Sequence, residues 1–264
     1  MDWHDLQSEE KILDLSWLMI FVGIVVYCLL KLGINAGYGR YTNTARFGLS
    51  PGIAWFIQEA PSFFIPFICI FRSKTNSGLF LNVLFCIHYF NRALIFPFRI
   101  RSKTVSPLYI MLSAIFFCCY NGFIQGTWNA LYQPEEDYWF FYIIVKFYYN
   151  LFERNYIFCS AVFFIGMFIN HRADDILLNL RRPGETGYKI PRGFLYEYIS
   201  CPNYYGEIVE WIGYAIAARS VPAVAFAIFT FCNIGPRAFS HHAWYLEKFP
   251  EYPKDRKALI PFVC

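Results

Sequence analysis

Residues 104–134 read TVSPLYIMLSAIFFCCYNGFIQGTWNALYQP, and not one of them is charged. In a soluble domain about a quarter of residues are charged, so an uncharged run of this length is not the surface of an aqueous globule. A helix crosses the hydrocarbon core of a bilayer with roughly 20 mostly apolar residues. The stretch therefore reads as a membrane span, and it sets the scale for its neighbours. Upstream lie three more candidates: about 14–34, with no charge between Leu15 and Leu30; about 51–71, broken only by Glu59; and about 78–98, with Arg92 near its end. Downstream lie about 155–170, about 200–218 and about 220–238. The expectation is an all-α, multi-pass membrane protein with seven transmembrane helices. The aromatic segment Tyr138–Phe152 is too short for a span and reads as interfacial, or as an early part of the fifth helix.

Composition agrees. Apolar residues make up 57% of the 264, aromatics 22% and charged residues only 16%, with 30 Phe and 20 Tyr. The net charge of +4 is too small and too dispersed for a nucleic-acid binder. Most of the nine cysteines fall in apolar stretches and none form a CxxC pair, so they read as small packing residues. Asp2, His4, Asp5, Glu9 and Glu10 make an acidic N-terminus unlike a cleavable signal, so the first apolar segment is expected to stay as an anchor. No internal repeat or linker divides the chain. A single domain over 1–264 is expected.

With seven spans, alternate connections share a side. One side collects fifteen basic residues, among them Arg99, Arg101, Lys103, Arg172, Arg181, Arg182, Lys189, Arg192, Lys254, Arg256 and Lys257. The other collects four, Lys11, Arg72, Lys74 and Arg219. The positive side is cytosolic, so the C-terminus is expected there. The acidic residues Glu135, Glu136 and Asp137 fall opposite.

Ionisable groups inside a membrane are costly and point to function. Glu59 sits mid-span in Trp55-Phe56-Ile57-Gln58-Glu59-Ala60-Pro61-Ser62. A neutral carboxylic acid there can donate a hydrogen bond to a ketone, and Pro61 and Pro66 should distort the helix around it. A Glu tied to a neighbouring helix is the competing reading. Tyr89 and Arg92 lie three apart, on one face, behind His88. Asn203, Glu207 and Glu210 form a polar stripe on the sixth span that must face a cavity, a polar ligand or a structural network. Cations gather on three cytosolic connections and would suit the phosphates of a soluble anionic cofactor, or express only the positive-inside bias. No GxGxxG follows a strand, so a dinucleotide would bind in a non-Rossmann way. His241 and His242 are adjacent and make poor co-ligands, so no metal is expected.

The C-terminal third reads Gly187-Tyr188-Lys189-Ile190-Pro191-Arg192-Gly193, then Asn203-Tyr204-Tyr205-Gly206-Glu207-Ile208-Val209-Glu210-Trp211. It ends Tyr252-Pro253-Lys254-Asp255-Arg256-Lys257-Ala258-Leu259-Ile260-Pro261-Phe262. With Gln58-Glu59-Ala60-Pro61-Ser62, His88-Tyr89-Phe90-Asn91-Arg92 and Leu180-Arg181-Arg182-Pro183-Gly184-Glu185, it resembles the steroid 5-alpha-reductase family from about Gly37 to the end. The resemblance implies a multi-pass protein of the endoplasmic reticulum membrane that takes a lipophilic steroid from the lipid. It implies NADPH as cofactor, bound in a C-terminal half of about 155–264. The reaction implied is reduction of the C4–C5 double bond of a 3-oxo-4-ene steroid. Glu59 and Tyr89 would hold the ketone, with Trp55, Gln58, Arg92 and Phe229 around the steroid. Tyr38, Arg101, Lys103, Asn170, Asp174, Arg181, Tyr188, Asn203, Glu207, His241, Tyr245 and Arg256 would belong to the cofactor site. Departures from the family pattern include Phe194 for a second Gly, Ser240 for the first of three His, Pro202 at the start of the sixth helix, and Asn233 where a related enzyme has an aromatic.

Three other readings stand beside this one. A membrane reductase of enoyl-CoA or polyprenol substrates would want, for CoA, a second basic site, which the sequence does not separate from the first. A non-catalytic seven-helix receptor or lipid-binding protein has no need of the polar stripe beside a basic cleft. A membrane methyltransferase would bind S-adenosylmethionine instead.

Overall fold

The computed structural model describes residues 3–34, 48–101, 105–135, 156–181, 185 and 187–264. The chain folds as a helical bundle: α1 (Trp3–Leu6), α2 (Glu9–Lys31), α3 (Pro51–Ile70), α4 (Asn76–Tyr89), a π-helical segment (Phe90–Ile95), α5 (Phe96–Arg99), α6 (Leu108–Leu131), α7 (Tyr156–Leu178), a 3₁₀ turn (Phe194–Glu197), α8 (Pro202–Ala218) and α9 (Val221–Lys248). Among the described residues the departures from an all-helical reading are a two-residue antiparallel pair, β1 (Gly48–Leu49) with β2 (Ser106–Pro107), and an isolated parallel bridge between Ile199 and Lys257. Tyr138–Phe152 lies outside the described residues.

Each sequence-predicted span falls on a helix. Five of them, Glu9–Lys31, Pro51–Ile70, Asn76–Arg99, Leu108–Leu131 and Val221–Lys248, are long and apolar enough to cross a membrane. At 1.5 Å per residue, α8 reaches only about 25 Å. The last helix runs ten residues past the expected end at 238. Burial is distributed as a bilayer demands. Trp17 (60% exposed), Phe21 (63%) and Phe116 (74%) sit on the outside, while His88, Asn121, Asn129 and Glu210 are enclosed. Apolar side chains in lipid need no core; polar ones must find partners within the bundle.

The helices are capped and broken where the sequence dictates. Ser8 caps α2, its Oγ accepting from the Lys11 amide at 3.4 Å, with Glu9 and Glu10 in the first turn where the dipole favours them. Thr75 caps α4 through the Gly78 amide at 3.0 Å. The π segment ends at Ile95, two residues before Pro97. Proline lacks an amide hydrogen and crowds the carbonyl four residues back, here Ala93, and a widened turn relieves that crowding.

Small residues set the closest helix contacts. A Cβ on Gly166 would lie 2.2 Å from the Glu210 amide nitrogen, one on Gly206 2.4 Å from that of Asn170, and one on Gly213 2.4 Å from that of Phe163. Only glycine lets the backbones of α7 and α8 touch in this way, as in membrane helix pairs generally. Likewise α3 turns a stripe of Ala54, Gln58, Ser62, Pro66 and Cys69 inward, and Gly126 of α6 comes so close that a Cβ would sit 3.1 Å from the Pro66 Cα. The C-terminal segment closes one end of the bundle. Ser200 donates its amide to Lys257 O at 2.8 Å, Lys257 donates to Tyr198 O at 2.9 Å, and Cys201 to Ala258 O at 3.2 Å.

Candidate active site

A cavity of about 500 Å³ opens inside the bundle, within the size range of small-molecule sites. Trp55, Gln58 and Glu59 of α3 line it, with His88 and Tyr89 from the end of α4 and Arg92 from the π segment. The opposing walls come from Phe117 and Cys118 of α6 and from Phe226 and Phe229 of α9. Phe117 and Phe229 stack with centroids 4.3 Å apart. Every sequence-predicted ketone or steroid residue thus borders one mostly apolar space.

Glu59 faces this space beside the inward stripe of α3. Gln58 Nε2 donates to its Oε1 at 3.5 Å, and the Cys118 thiol donates to its Oε2 at 3.7 Å. Tyr89 is 5% exposed, and its ring packs on Phe85 at 4.8 Å and edge-on to His88 at 4.9 Å. One turn on, the widened backbone delivers Arg92 to a polar junction. Its Nη1 donates to Asp174 Oδ2 at 3.1 Å, its Nη2 lies 3.5 Å from Glu207 Oε2, and its guanidinium sits 5.0 Å from the Trp55 ring. A planar guanidinium suits this double role better than an ammonium would.

The touching backbones of α7 and α8 complete the junction. Asn170 Nδ2 donates to Asn203 O at 3.0 Å and to Glu207 Oε2 at 3.4 Å, and Asn203 Nδ2 donates to Asp174 Oδ1 at 3.2 Å. Asn170, Asp174, Asn203 and Glu207, four residues expected at a cofactor, therefore form one network around Arg92. Asn170 Oδ1 is buried without a hydrogen-bond partner among the described residues. The polar stripe of α8 divides. Glu207 faces the cavity, whereas Glu210 is wholly buried and pairs with His88 Nδ1 at 2.8 Å.

The other expected cofactor residues that the structure describes, His241, Tyr245, Tyr188, Arg256, Arg101 and Arg181, do not line this cavity. His241 Nε2 meets the Tyr204 hydroxyl at 3.2 Å, while His242 Nδ1 meets Ser200 Oγ at 2.7 Å, so the two imidazoles serve different partners. Tyr245 is buried and stacks on Tyr252 at 5.1 Å; Tyr188 packs edge-on against Trp244 at 4.8 Å. Arg256 is 1% exposed. Its Nη1 donates to Pro191 O at 3.2 Å, its guanidinium lies 4.9 Å from the Tyr252 ring, and Nη2 is 3.7 Å from Glu197. Arg101 and Arg181 are exposed, and Arg181 Nη1 donates to Gly187 O at 3.4 Å. Arg99 reaches Asp175 at 2.6 Å, which brings the segments carrying Arg101 and Arg181 to one end of the bundle. Tyr38 and Lys103 lie outside the described residues. Among the described residues no three His, Cys, Asp or Glu side chains gather as a metal site.

Cys118 and Arg237 are among the cavity residues given no role above, whereas Asn233 stands where a related enzyme has an aromatic in the steroid pocket. Cys118 passed for a packing residue, and nothing local marks it as the neighbour of Glu59. Asn233 and Arg237, a turn apart on α9, also line the cavity. An arginine inside a span is the same signal that singled out Glu59, and it pointed here too.

Comparison with known proteins adds a second line. A family model described as 3-oxo-5-alpha-steroid 4-dehydrogenase matches residues 104–264. The chain is 44% identical to 3-oxo-5-alpha-steroid 4-dehydrogenase 1 of Bos taurus, over 97% of this chain and 98% of that protein. It is 39% identical to the enzyme of the same name from Homo sapiens, over 97% of each. With 3-oxo-5-alpha-steroid 4-dehydrogenase 2 of Homo sapiens it shares 41% identity, over 86% of this chain and 88% of the other.

Proposed function

The chain belongs to the 3-oxo-5-alpha-steroid 4-dehydrogenase family and is an oxidoreductase, and from that premise we propose that it reduces the C4–C5 double bond of 3-oxo-4-ene steroids to 5-alpha-dihydro products. The observation that carries the reading is the meeting of Glu59 and Tyr89 on one mostly apolar cavity, with Phe117, Phe226 and Phe229 among its other walls. A steroid is a rigid apolar body with a carbonyl at one end, and the cavity offers that combination in reverse.

The steroid would enter from the lipid and place its ketone between Glu59 and Tyr89. As electrons move from the double bond to the ketone oxygen, negative charge develops there. A carboxylic acid at Glu59 and the phenol of Tyr89 both donate to that oxygen, and donors aimed at developing charge lower the barrier. Gln58 and Cys118 hold the Glu59 carboxyl in place. The surrounding Phe117, Phe226 and Phe229 exclude water from the reacting carbons.

The residues present fit NADPH as the partner. Asn170 Oδ1 is a buried acceptor with no partner among the described residues, suited to an amide N–H such as a nicotinamide carboxamide. Asn170, Asp174, Asn203 and Glu207 would hold that end, and the exposed Arg101 and Arg181 would meet phosphate. When bound, NADPH would supply the hydride for C5; as the electron pair returns from the ketone oxygen, a proton adds at C4 and completes the reduction.

The expected membrane is that of the endoplasmic reticulum, crossed seven times with the C-terminus cytosolic. The single domain would bind its cofactor through the half from about 155 onward. The test uses membranes from cells expressing the chain, given NADPH and a labelled 3-oxo-4-ene steroid. The parent forms the 5-alpha-dihydro product, and Glu59→Gln and Tyr89→Phe each lose on the order of 10²-fold in kcat. No product from folded parent across several such steroids overturns the reading and directs attention to enoyl-CoA and polyprenol substrates.

A further inference from the structure

The cavity has a second polar place, away from Glu59 and Tyr89. On α9, Phe229 stacks on Phe117, whose neighbour Cys118 bonds Glu59. Phe229 therefore marks the level of the acid on that helix. One turn further along, about 6 Å up the axis, Asn233 lines the same cavity, and Arg237 follows a turn later.

Arg237 fixes how Asn233 is turned. Its Nε donates to the Asn233 carbonyl at 3.0 Å and to Oδ1 at 3.3 Å, and its Nη2 donates to Oδ1 at 3.2 Å. A guanidinium can only donate, and an amide offers one acceptor oxygen and one donor nitrogen. Oδ1 must therefore face Arg237, which leaves the two N–H bonds of Nδ2 pointing elsewhere. Among the described residues Nδ2 makes no hydrogen bond. Asn233 is half-buried on the wall of this mostly apolar cavity, and its donor pair is placed to meet an acceptor brought in by the ligand. That acceptor is neutral by preference, because Glu207 also borders the cavity and Arg237 is already engaged by Asn233.

We propose that Asn233 is a specificity determinant, donating its amide N–H to a ketone or hydroxyl oxygen on the part of the steroid remote from the enone. This rests on the reductase reading above. A rigid ring system holds the two oxygens apart, so a steroid oxygenated at both ends meets Glu59 with Tyr89 at one end and Asn233 at the other. A steroid lacking the remote oxygen leaves the amide unpaired, and sites built to pair a substrate oxygen reject analogues that lack it.

The test compares androst-4-ene-3,17-dione with androst-4-en-3-one, which differ only in the remote oxygen. Turnover is measured at saturating NADPH, and equilibrium binding of the tritiated steroids is measured on the same membranes. The parent prefers the dione, chiefly through KM. Asn233→Asp keeps acceptors for Arg237 and removes the donors; Asn233→Leu removes both. Each variant shrinks the kcat/KM ratio between the two steroids roughly three- to tenfold, the worth of one hydrogen bond. An unchanged ratio in both variants overturns the proposal, as does a parent that treats the steroids alike. A rise in the KM for NADPH with the steroid ratio unmoved also overturns it and assigns the amide to the nucleotide. A parent that binds the dione preferentially but reduces neither steroid refutes the reductase reading, and Asn233 is then judged on binding alone: loss of that preference in both variants supports its contact with the remote oxygen, and an unchanged preference overturns it.

Discussion

Replacing Gly166 by alanine sets two effects against each other. In isolation the change favours the helix, since alanine is better than glycine in a helix interior by about 1 kcal/mol. Packing opposes it. The new Cβ would lie 2.2 Å from the Glu210 amide nitrogen and 2.6 Å from Gly206 O. Both obstacles are main chain of α8, which cannot rotate aside, so α7 must retreat by about 1.2 Å to reach ordinary contact at 3.4 Å. The Asn170 to Asn203 bond of 3.0 Å and the Asn203 to Asp174 bond of 3.2 Å then stretch past hydrogen-bonding distance. Overpacking costs about 1–3 kcal/mol and the two lost bonds about 1 kcal/mol each, which outweighs the helix gain by about 2–4 kcal/mol. The assay is thermal unfolding of purified protein in detergent, with steroid turnover beside it. The midpoint should fall by roughly 5–10 °C, and turnover should fall more than about tenfold as the Arg92 junction opens. Gly235→Ala is the control. Its nearest neighbour would be the Phe231 ring at 3.6 Å, so its midpoint should hold or rise. If Gly166→Ala melts with the parent and turns over normally, backbone contact between α7 and α8 is not what assembles the polar junction.

Glu210 and His88 are buried together, so removing one partner strands the other. Glu210→Gln keeps an acceptor for the imidazole, whereas Glu210→Leu does not; unfolding midpoints should rank parent, Gln, Leu, with Leu lower by about 1–3 kcal/mol. Equal stability of the two variants would show the contact to be idle. At the C-terminal cap, the Gly193 amide, then Arg256 and Arg192, hold the Glu197 carboxyl below the usual carboxylate value of 4.5. A depressed value in the folded state stabilises above 4.5 and is lost as pH falls through the folded value. Fluorescence of Trp244, which packs on Tyr188 and Phe249 near this cap, should stay flat from neutral pH down to about 4.5 and change below it, with Glu197→Gln lacking that step. A change already complete by about pH 5.5 in the parent alone would contradict this sign.

The membrane character of the chain and the places of its long helices were legible because they are local properties. An uncharged run such as 104–134 has one stable solution in lipid, a helix with its own backbone satisfied. The conspicuous polar groups were legible for the same reason, since Glu59, Arg92 and the α8 stripe each cost too much in a membrane to be accidental. What those groups touch was not legible. Glu210 could have served the cavity with Glu207, yet it belongs to His88, 122 residues away in the chain. Cys118 looked like any apolar packer until α6 set it beside Glu59, and Arg256, one of several basic residues near the C-terminus, is folded inward against Pro191 and Tyr252. Helix boundaries set by tertiary contact also went unseen, as α9 continues ten residues past the apolar pattern. Hydrophobic periodicity reports which residues leave water. Which buried donor meets which acceptor depends on helix approach, here governed by Gly166, Gly206 and Gly213, and that is decided only when distant segments pack.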